Sequence, residues 1–253
     1  MSIEIISMWY NEEFLAPFFL NHYSYADQIT IILDADTNDN SESIVKRYPN
    51  TKIVNFKFPD MMDDEIKSRI ITEQYVKSKH NWVLAVDADE FVFYKKNSCF
   101  IYNLNRYLNQ YSNYDLIKVA FYQIYKNIID KKLDSTIDTV PQRRHGDPNI
   151  FSEHNKLYLK PILVKTGLQI KWDPGCHFLK NNNSKILVSD NILFGAHWAM
   201  ADEEFVFSRR IKNRRERQSK NNIEKQMTVQ HHNVTVKSIM EEFIMHYNDP
   251  QVF

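Results

Sequence analysis

Asn81-Trp82-Val83-Leu84-Ala85-Val86-Asp87-Ala88-Asp89-Glu90-Phe91-Val92-Phe93 is the stretch on which the reading of this chain turns. Trp82 to Val86 is an unbroken apolar run with two valines, which predicts a strand covered on both faces. The run stops on carboxylates. If the backbone stays extended, Asp87 and Asp89 share one face and Ala88 points away. Carboxylates at the carboxyl end of a buried strand sit where open α/β sheets bind ligands, and a pair suits a hard divalent cation that also holds phosphate oxygens. The competing reading of an Asp-x-Asp is a helix cap or a solvated turn.

Working outward, the same pattern recurs upstream. Ile3 to Met8 is a short apolar run that breaks into Tyr10-Asn11-Glu12-Glu13, and Glu12 to Tyr25 carries Phe14, Leu15, Phe18, Phe19 and Tyr23 at helical spacing. Gln28 to Leu33 is a second β-rich run and ends on Asp34-Ala35-Asp36-Thr37-Asn38-Asp39-Asn40-Ser41, with a helix expected from Glu42 to Tyr48. Thr51 to Phe56 reads as a third strand, and Asp63 to Lys79 as a helix with Ile66, Ile70, Ile71 and Tyr75 on one stripe. Alternating strands and helices imply a doubly wound, mostly parallel sheet with right-handed crossovers. Polar side chains then close successive strands on one edge: Tyr10 with Asn11, Asp34 with Asp36, Asp87 with Asp89.

Tyr10-Asn11-Glu12-Glu13, Leu33-Asp34-Ala35-Asp36-Thr37-Asn38-Asp39-Asn40-Ser41 and Trp82 to Phe91, in that order, resemble the family 2 type glycosyltransferases of the GT-A fold, in the branch whose metal motif reads Asp-x-Asp-Glu-Phe. The likeness covers about the first hundred residues. It implies that Tyr10 and Asn11 line a nucleotide pocket, that Asp34 accepts from base or ribose with Asp36 beside it, that Asp87 contacts the ribose side, and that Asp89 binds a divalent metal, Mn2+ or Mg2+, bridging a diphosphate. Ala35 departs from the family, which often has a second Asp there. The expected activity is transfer of a sugar from a nucleoside-diphosphate sugar, UDP or GDP in preference, to a cell-surface glycan or lipid-linked acceptor with inversion. The metal would act as a Lewis acid on the leaving group.

Beyond Asn97 the pattern loosens. Leu116 to Tyr125 is β-rich and aromatic, as expected of a mixed, acceptor-side extension of the sheet. The polar stretch from Ile129 to Asn155 offers Asp147 and Glu153 as carboxylate bases for an inverting transfer. Lys156 to Lys165 reads as a strand broken by Pro161, and Leu168 to Trp172 as another. Pro174 and Gly175 force a turn that presents His177, and His197 follows the apolar run Ile192 to Ala196. GT-A enzymes often complete the metal site with a late histidine, so the resemblance makes His177 and His197 metal or diphosphate ligands beside Asp87 and Asp89. A histidine next to an aromatic also packs in cores. Arg69 and Arg209 are candidate donor-site cations, against the simpler reading of exposed helical arginines.

Asp202 to Lys220 is dense in cations on a predicted helix, either a solvated face or a rest for anionic lipid at the inner face of a membrane. Val234 to Tyr247 reads as an amphipathic helix that packs back or pairs two subunits in a homodimer. At 253 residues the chain fits a domain over 1–200 with a helical extension over 201–253. Lys+Arg and Asp+Glu both count 32, which leaves no electrostatic footprint for nucleic acid. Cys99 and Cys176 lie in no metal-like spacing and fit a reducing compartment. With no leader-like start and no apolar run near the ~20 residues of a membrane span, the expectation is a cytoplasmic protein. Two other classes compete: a phosphatase or phosphotransferase with an aspartyl nucleophile in Leu33-Asp34-Ala35-Asp36-Thr37, and a non-catalytic nucleotide-sugar-binding module of the same fold.

Overall fold

The computed structural model describes residues 1–97, 99–147, 159–181, 185–188, 193–227 and 233–253. The amino-terminal half alternates as the periodicity predicts: β1 (Ile3–Trp9), α1 (Ala16–His22), β2 (Gln28–Asp34), α2 (Ser41–Val45), β3 (Thr51–Phe56), α3 (Asp64–Lys77) and β4 (Trp82–Ala85). Runs of β-branched residues make these strands, and Ile5, Ile29, Ile31, Val83 and Leu84 are fully buried, as a sheet covered on both sides requires. α3 starts where Asp63 accepts from the Ile66 amide at 3.0 Å, a side-chain cap on its first turn. α1 starts only at Ala16, with Pro17 in its first turn, later than the apolar spacing from Glu12 suggests.

β5 (Glu90–Lys96), β6 (Cys99–Ile101), α4 (Asn105–Gln110) and β7 (Leu116–Tyr125) follow, then β8 (Leu159–Lys165), β9 (Ile170–Trp172), β10 (Leu179–Asn181), β11 (Ile186–Val188) and β12 (Leu193–Met200). One sheet runs β3-β2-β1-β4-β8-β7-β12-β5-β6, with β11 also on β7, while β9 and β10 form a separate ribbon. β1, β2, β3 and β4 are mutually parallel, β12 and β11 are parallel to β7, and β8, β5 and β6 enter antiparallel. The fold is α/β with a mostly parallel, mixed sheet.

Pro161 does not break β8. The strand passes between β4 and β7 because its partner gives way: the β7–β8 register shifts between Ile117 and Val119, opposite Pro161, which relieves the ladder of the amide that proline lacks. The carbonyl of Pro161 is taken by Trp172 Nε1 at 2.9 Å. Gly195 on β12 is fixed by a close approach, since a Cβ there would stand 2.3 Å from the Phe121 ring on β7.

The chain from Asp202 to Lys220 is not one α-helix. α5 (Glu203–Phe207) widens into a π-helical turn, Ser208–Arg214, tightens into a 3-10 turn, Arg215–Arg217, and restarts as α6 (Lys220–Glu224). Changes of helical pitch of this kind re-aim side chains and recur at functional sites. α7 (Val236–His246) opens on a reciprocal Thr235–Ser238 capping box. It buries Ile239 and Phe243 and leaves Val236 and Ile244 exposed. Among the described residues no helix is long and apolar enough to cross a membrane.

Candidate functional site

Because β1, β2 and β4 are parallel, the turns that follow them open on one edge of the sheet. Tyr10, Asn11 and Glu12 follow β1, Asp34 closes β2 with Asp36 just beyond, and Asp87 and Asp89 follow β4. β12, antiparallel to β5, sets His197 opposite Glu90. The strand is shorter than the apolar run: it ends at Ala85, and the Glu90 amide donates to the Asp87 carbonyl at 3.0 Å, so Asp87 and Asp89 sit on a turn. Their side chains are divided between different partners rather than aligned on one extended face.

Each carboxylate here meets a cation from a distant element. Lys67 on α3 donates to Asp87 at 2.6 Å. Lys160 on β8 pairs with Glu90, whose other oxygen accepts from the Asp87 amide at 3.0 Å. Arg209 on the π turn bridges Asp89 and Glu12, its Nε 3.1 Å from both Glu12 oxygens. Arg217 on the 3-10 turn donates to Asp34 at 2.9 Å. Buried charges persist only when paired in this way.

The electrostatics follow from these pairs. Burial pushes the Asp89 carboxyl up, but Arg209 and His197 outweigh it and hold the group well below the usual carboxylate range. At Asp87 burial is likewise overcome, by Lys67, Lys160 and Arg214. Glu12 goes the other way: burial outweighs Arg209 and raises it. Behind the turn, burial pushes the Cys176 thiol up to about 12, which leaves it protonated and unreactive.

Two atoms in this cluster are unsatisfied. Among the described residues, Asp89 Oδ1 and Arg209 Nη2 are buried without a hydrogen-bond partner. Asp89 Oδ2 also lies 3.2 Å from His197 Nε2, while His197 Nδ1 is 2.7 Å from Gln123 Oε1. With Nδ1–H donating to that amide oxygen, Nε2 presents a lone pair to a carboxylate. Two arrangements satisfy the contact: an imidazolium, or a neutral ring with a cation held between nitrogen and carboxylate, its other nitrogen fixed as metal-binding histidines usually are. Among the described residues no group of three or more His, Cys, Asp or Glu side chains is arranged to hold a metal by itself. Asp89 and His197 could supply two ligands to a cation, which would need phosphate oxygens or water for the rest.

The predicted residues divide. Tyr10, Asn11, Asp34, Asp36, Asp87, Asp89, His197 and Arg209 come together along the sheet edge, Asp36 at its open rim within 3.4 Å of Lys57. Asn11 adopts a positive φ of 50°, and its side chain exchanges hydrogen bonds with Asn38. Asp147 is tied through its amide to the carbonyl of Gln123 at 3.3 Å, the same residue whose side chain holds His197. The ring of His177 folds over Gly175. Arg69 faces away: two residues on from Lys67 it turns to the exposed side of α3, 3.8 Å from Glu73. Glu153 lies outside the described residues.

Lys67, Lys160, Gln123 and Arg217 were not singled out from the sequence. Lys67 had a signal, because it falls at i and i+4 with Ile71 on the buried stripe of α3, where a lysine needs a partner. Lys160 stands likewise inside an apolar strand.

No protein-family model matches the chain, and no curated protein matches it. Among solved structures, S. aureus TarS 1-349 superposes with a TM-score of 0.46 at 13% identity, over 98% of this chain and 80% of that one. The same protein in complex with UDP-GlcNAc gives 0.47 at 14%, over 96% and 72%. Glucosyl-3-phosphoglycerate synthase from Mycobacterium tuberculosis, in complex with Mn2+, UDP and glucosyl-3-phosphoglycerate, gives 0.34 at 13%, over 47% and 44%. At these values none of the likenesses establishes a shared activity.

Proposed function

We propose that the chain is a metal-dependent, nucleotide-sugar glycosyltransferase of the GT-A type. The observation that carries this reading is Asp89: a fully buried carboxylate with one oxygen unpartnered and the other beside His197 Nε2, set where parallel strands end. Asp89 and His197 would hold a divalent cation, which when bound supplies Lewis-acid stabilisation of the leaving diphosphate. Tyr10 and Asn11 face the nucleoside, Asp34 and Asp36 accept from its base or ribose, and Asp87 closes the ribose side. Arg209, whose Nη2 has no partner among the described residues, contributes a fixed cation to the diphosphate. Asp147 is the acceptor-side base. The acceptor is a glycan or lipid-linked glycan, and the 201–253 extension belongs to the donor site through Arg209.

An aspartyl-nucleophile phosphatase fits less well. Asp34 is 2% exposed, clamped by Arg217 and accepting from the Asp36 amide at 3.0 Å, so its oxygens are engaged rather than poised for in-line attack. The experiment that separates the readings is a thermal-shift panel of UDP-, GDP-, CMP- and dTDP-sugars with and without Mn2+. Stabilisation by one nucleotide class, dependent on metal, is expected. Stabilisation by phosphomonoesters with covalent labelling of Asp34 supports the phosphatase instead.

A further inference from the structure

One face of the Tyr10 ring is already covered. The guanidinium carbon of Arg217 stands 3.5 Å from the centroid of the Tyr10 ring, stacked on it, while Nη2 donates to Asp34 at 2.9 Å. Arg217 is 8% exposed. What remains open between Met8, Tyr10, Asp34, Phe58, Lys67 and Arg217 is about 30 Å³. That is room for a water or two, against the roughly 300 Å³ at the small end of ligand sites. A flat, delocalised group that stacks on an aromatic ring and donates to a carboxylate has the shape and hydrogen-bonding pattern of a nucleobase.

We propose that Arg217 is the resident occupant of the seat a nucleobase takes, so that the chain fills its own base seat while the cavity of about 540 Å³ beside Asn11 and Arg209 stays open, and nucleotide binding exchanges one planar group for the other. This rests on the glycosyltransferase reading above and adds to it a gate. The exchange is local. The backbone on either side of Arg217 is pinned, its carbonyl accepting from the Met62 amide at 2.9 Å and the Ser219 amide donating to the Met62 carbonyl at 3.0 Å. α6 is fastened to the start of α3 through Asn222 and Asp64, 2.8 Å apart. The π turn before it is also held, by Arg209 on Glu12 and by Asn213 on the Asn11 carbonyl at 3.0 Å, so it is the side chain of Arg217 that swings. A base that donates to Asp34 replaces the hydrogen bond it displaces, so the buried carboxylate is never left bare. A bare diphosphate brings no such donor, and cannot take the seat.

The test is calorimetric titration of wild type, Arg217→Ala and Arg217→Lys with UDP, GDP and inorganic pyrophosphate in the presence of Mn2+. Removing the occupant raises the competent fraction, so the nucleoside diphosphate that binds wild type should bind Arg217→Ala about tenfold or more tightly. Pyrophosphate should bind unchanged or more weakly. Arg217→Lys keeps a cation beside Asp34 but loses the plane, and gives the same sign if the alanine variant is too unstable to assay. Nucleoside diphosphates that bind both variants no better than wild type overturn the exchange while leaving the glycosyltransferase reading intact. Nucleoside diphosphates that bind none of the three proteins overturn both.

Discussion

Two buried arginines show how the same side chain serves two ends of this molecule. Arg143 is 1% exposed, and its nitrogens are engaged by the Ala201 carbonyl at 2.6 Å, the Gln142 carbonyl at 2.8 Å and Asp202 at 3.0 Å. Arg209 is 6% exposed, pairs with Glu12 and Asp89, and leaves Nη2 unmatched beside an unmatched oxygen of Asp89. The first arginine has every nitrogen engaged and joins the 130–143 segment to the end of β12. The second has spare valence, and buried polar atoms without partners are costly unless something binds them. Burial of charge alone thus marks neither structure nor function, and what separates these two arginines is whether every nitrogen is engaged.

The largest expected effect tests the closed side. Arg143→Ala strands Asp202 and Asp130 and should cost about 3–5 kcal/mol in urea unfolding. Millimolar Mn2+ should not restore it. Arg209→Met should also lose stability, but Mn2+ should recover much of that loss by taking over the charge of Asp89. Equal behaviour of the two variants toward Mn2+ would erase the distinction.

His22 belongs to the frame rather than to the site. His22 donates Nε2–H to the Val92 carbonyl at 2.9 Å within an aromatic cage, and burial lowers its pKa to about 4. Unfolded, the ring titrates near ~6.5, so between those values the unfolded chain binds more protons. Stability therefore rises with pH through that window and is lost as pH falls, by roughly 3 kcal/mol. Urea melts across the window should show the slope in wild type and its absence in His22→Phe.

On the open side, Asp89→Ala should weaken Mn2+-dependent nucleotide binding by about 100-fold, and Gln123→Ala, which frees His197 to turn, by about tenfold. The smallest effect concerns the frame: Gly195→Ala forces a methyl against Phe121 on β7, next to the strand position that aims His197. It should cost about 1–3 kcal/mol by thermal melting, with a smaller loss of affinity.

How much of this was legible follows the range of the contacts. β1, β2, β3 and β4 are written locally, as β-branched runs stopped by polar turns, and Thr51–Phe56 and Ile3–Trp9 match or nearly match the runs that predict them. The carboxylates of the site are legible for the same reason, since each closes such a run. Their pairings are not: Arg209 stands out as a candidate cation, yet it lies 120 residues from Asp89, Arg217 lies 183 from Asp34, and no local pattern encodes pairings of that span. The arginine-rich stretch reads as a solvated helical face because charge density is visible in sequence and pitch is not. Only the π and 3-10 turns aim Arg209 and Arg217 inward.

The claim underlying all of this is that Asp89 and His197 share a divalent cation with a nucleoside diphosphate. Its most direct test is a Mn2+ titration followed by electron paramagnetic resonance, with and without UDP or GDP. The account predicts that the free Mn2+ signal is lost stoichiometrically when protein and the matching nucleotide are both present, beyond what nucleotide alone removes. A free-ion signal unchanged by the protein, whichever nucleotide is added, would contradict it.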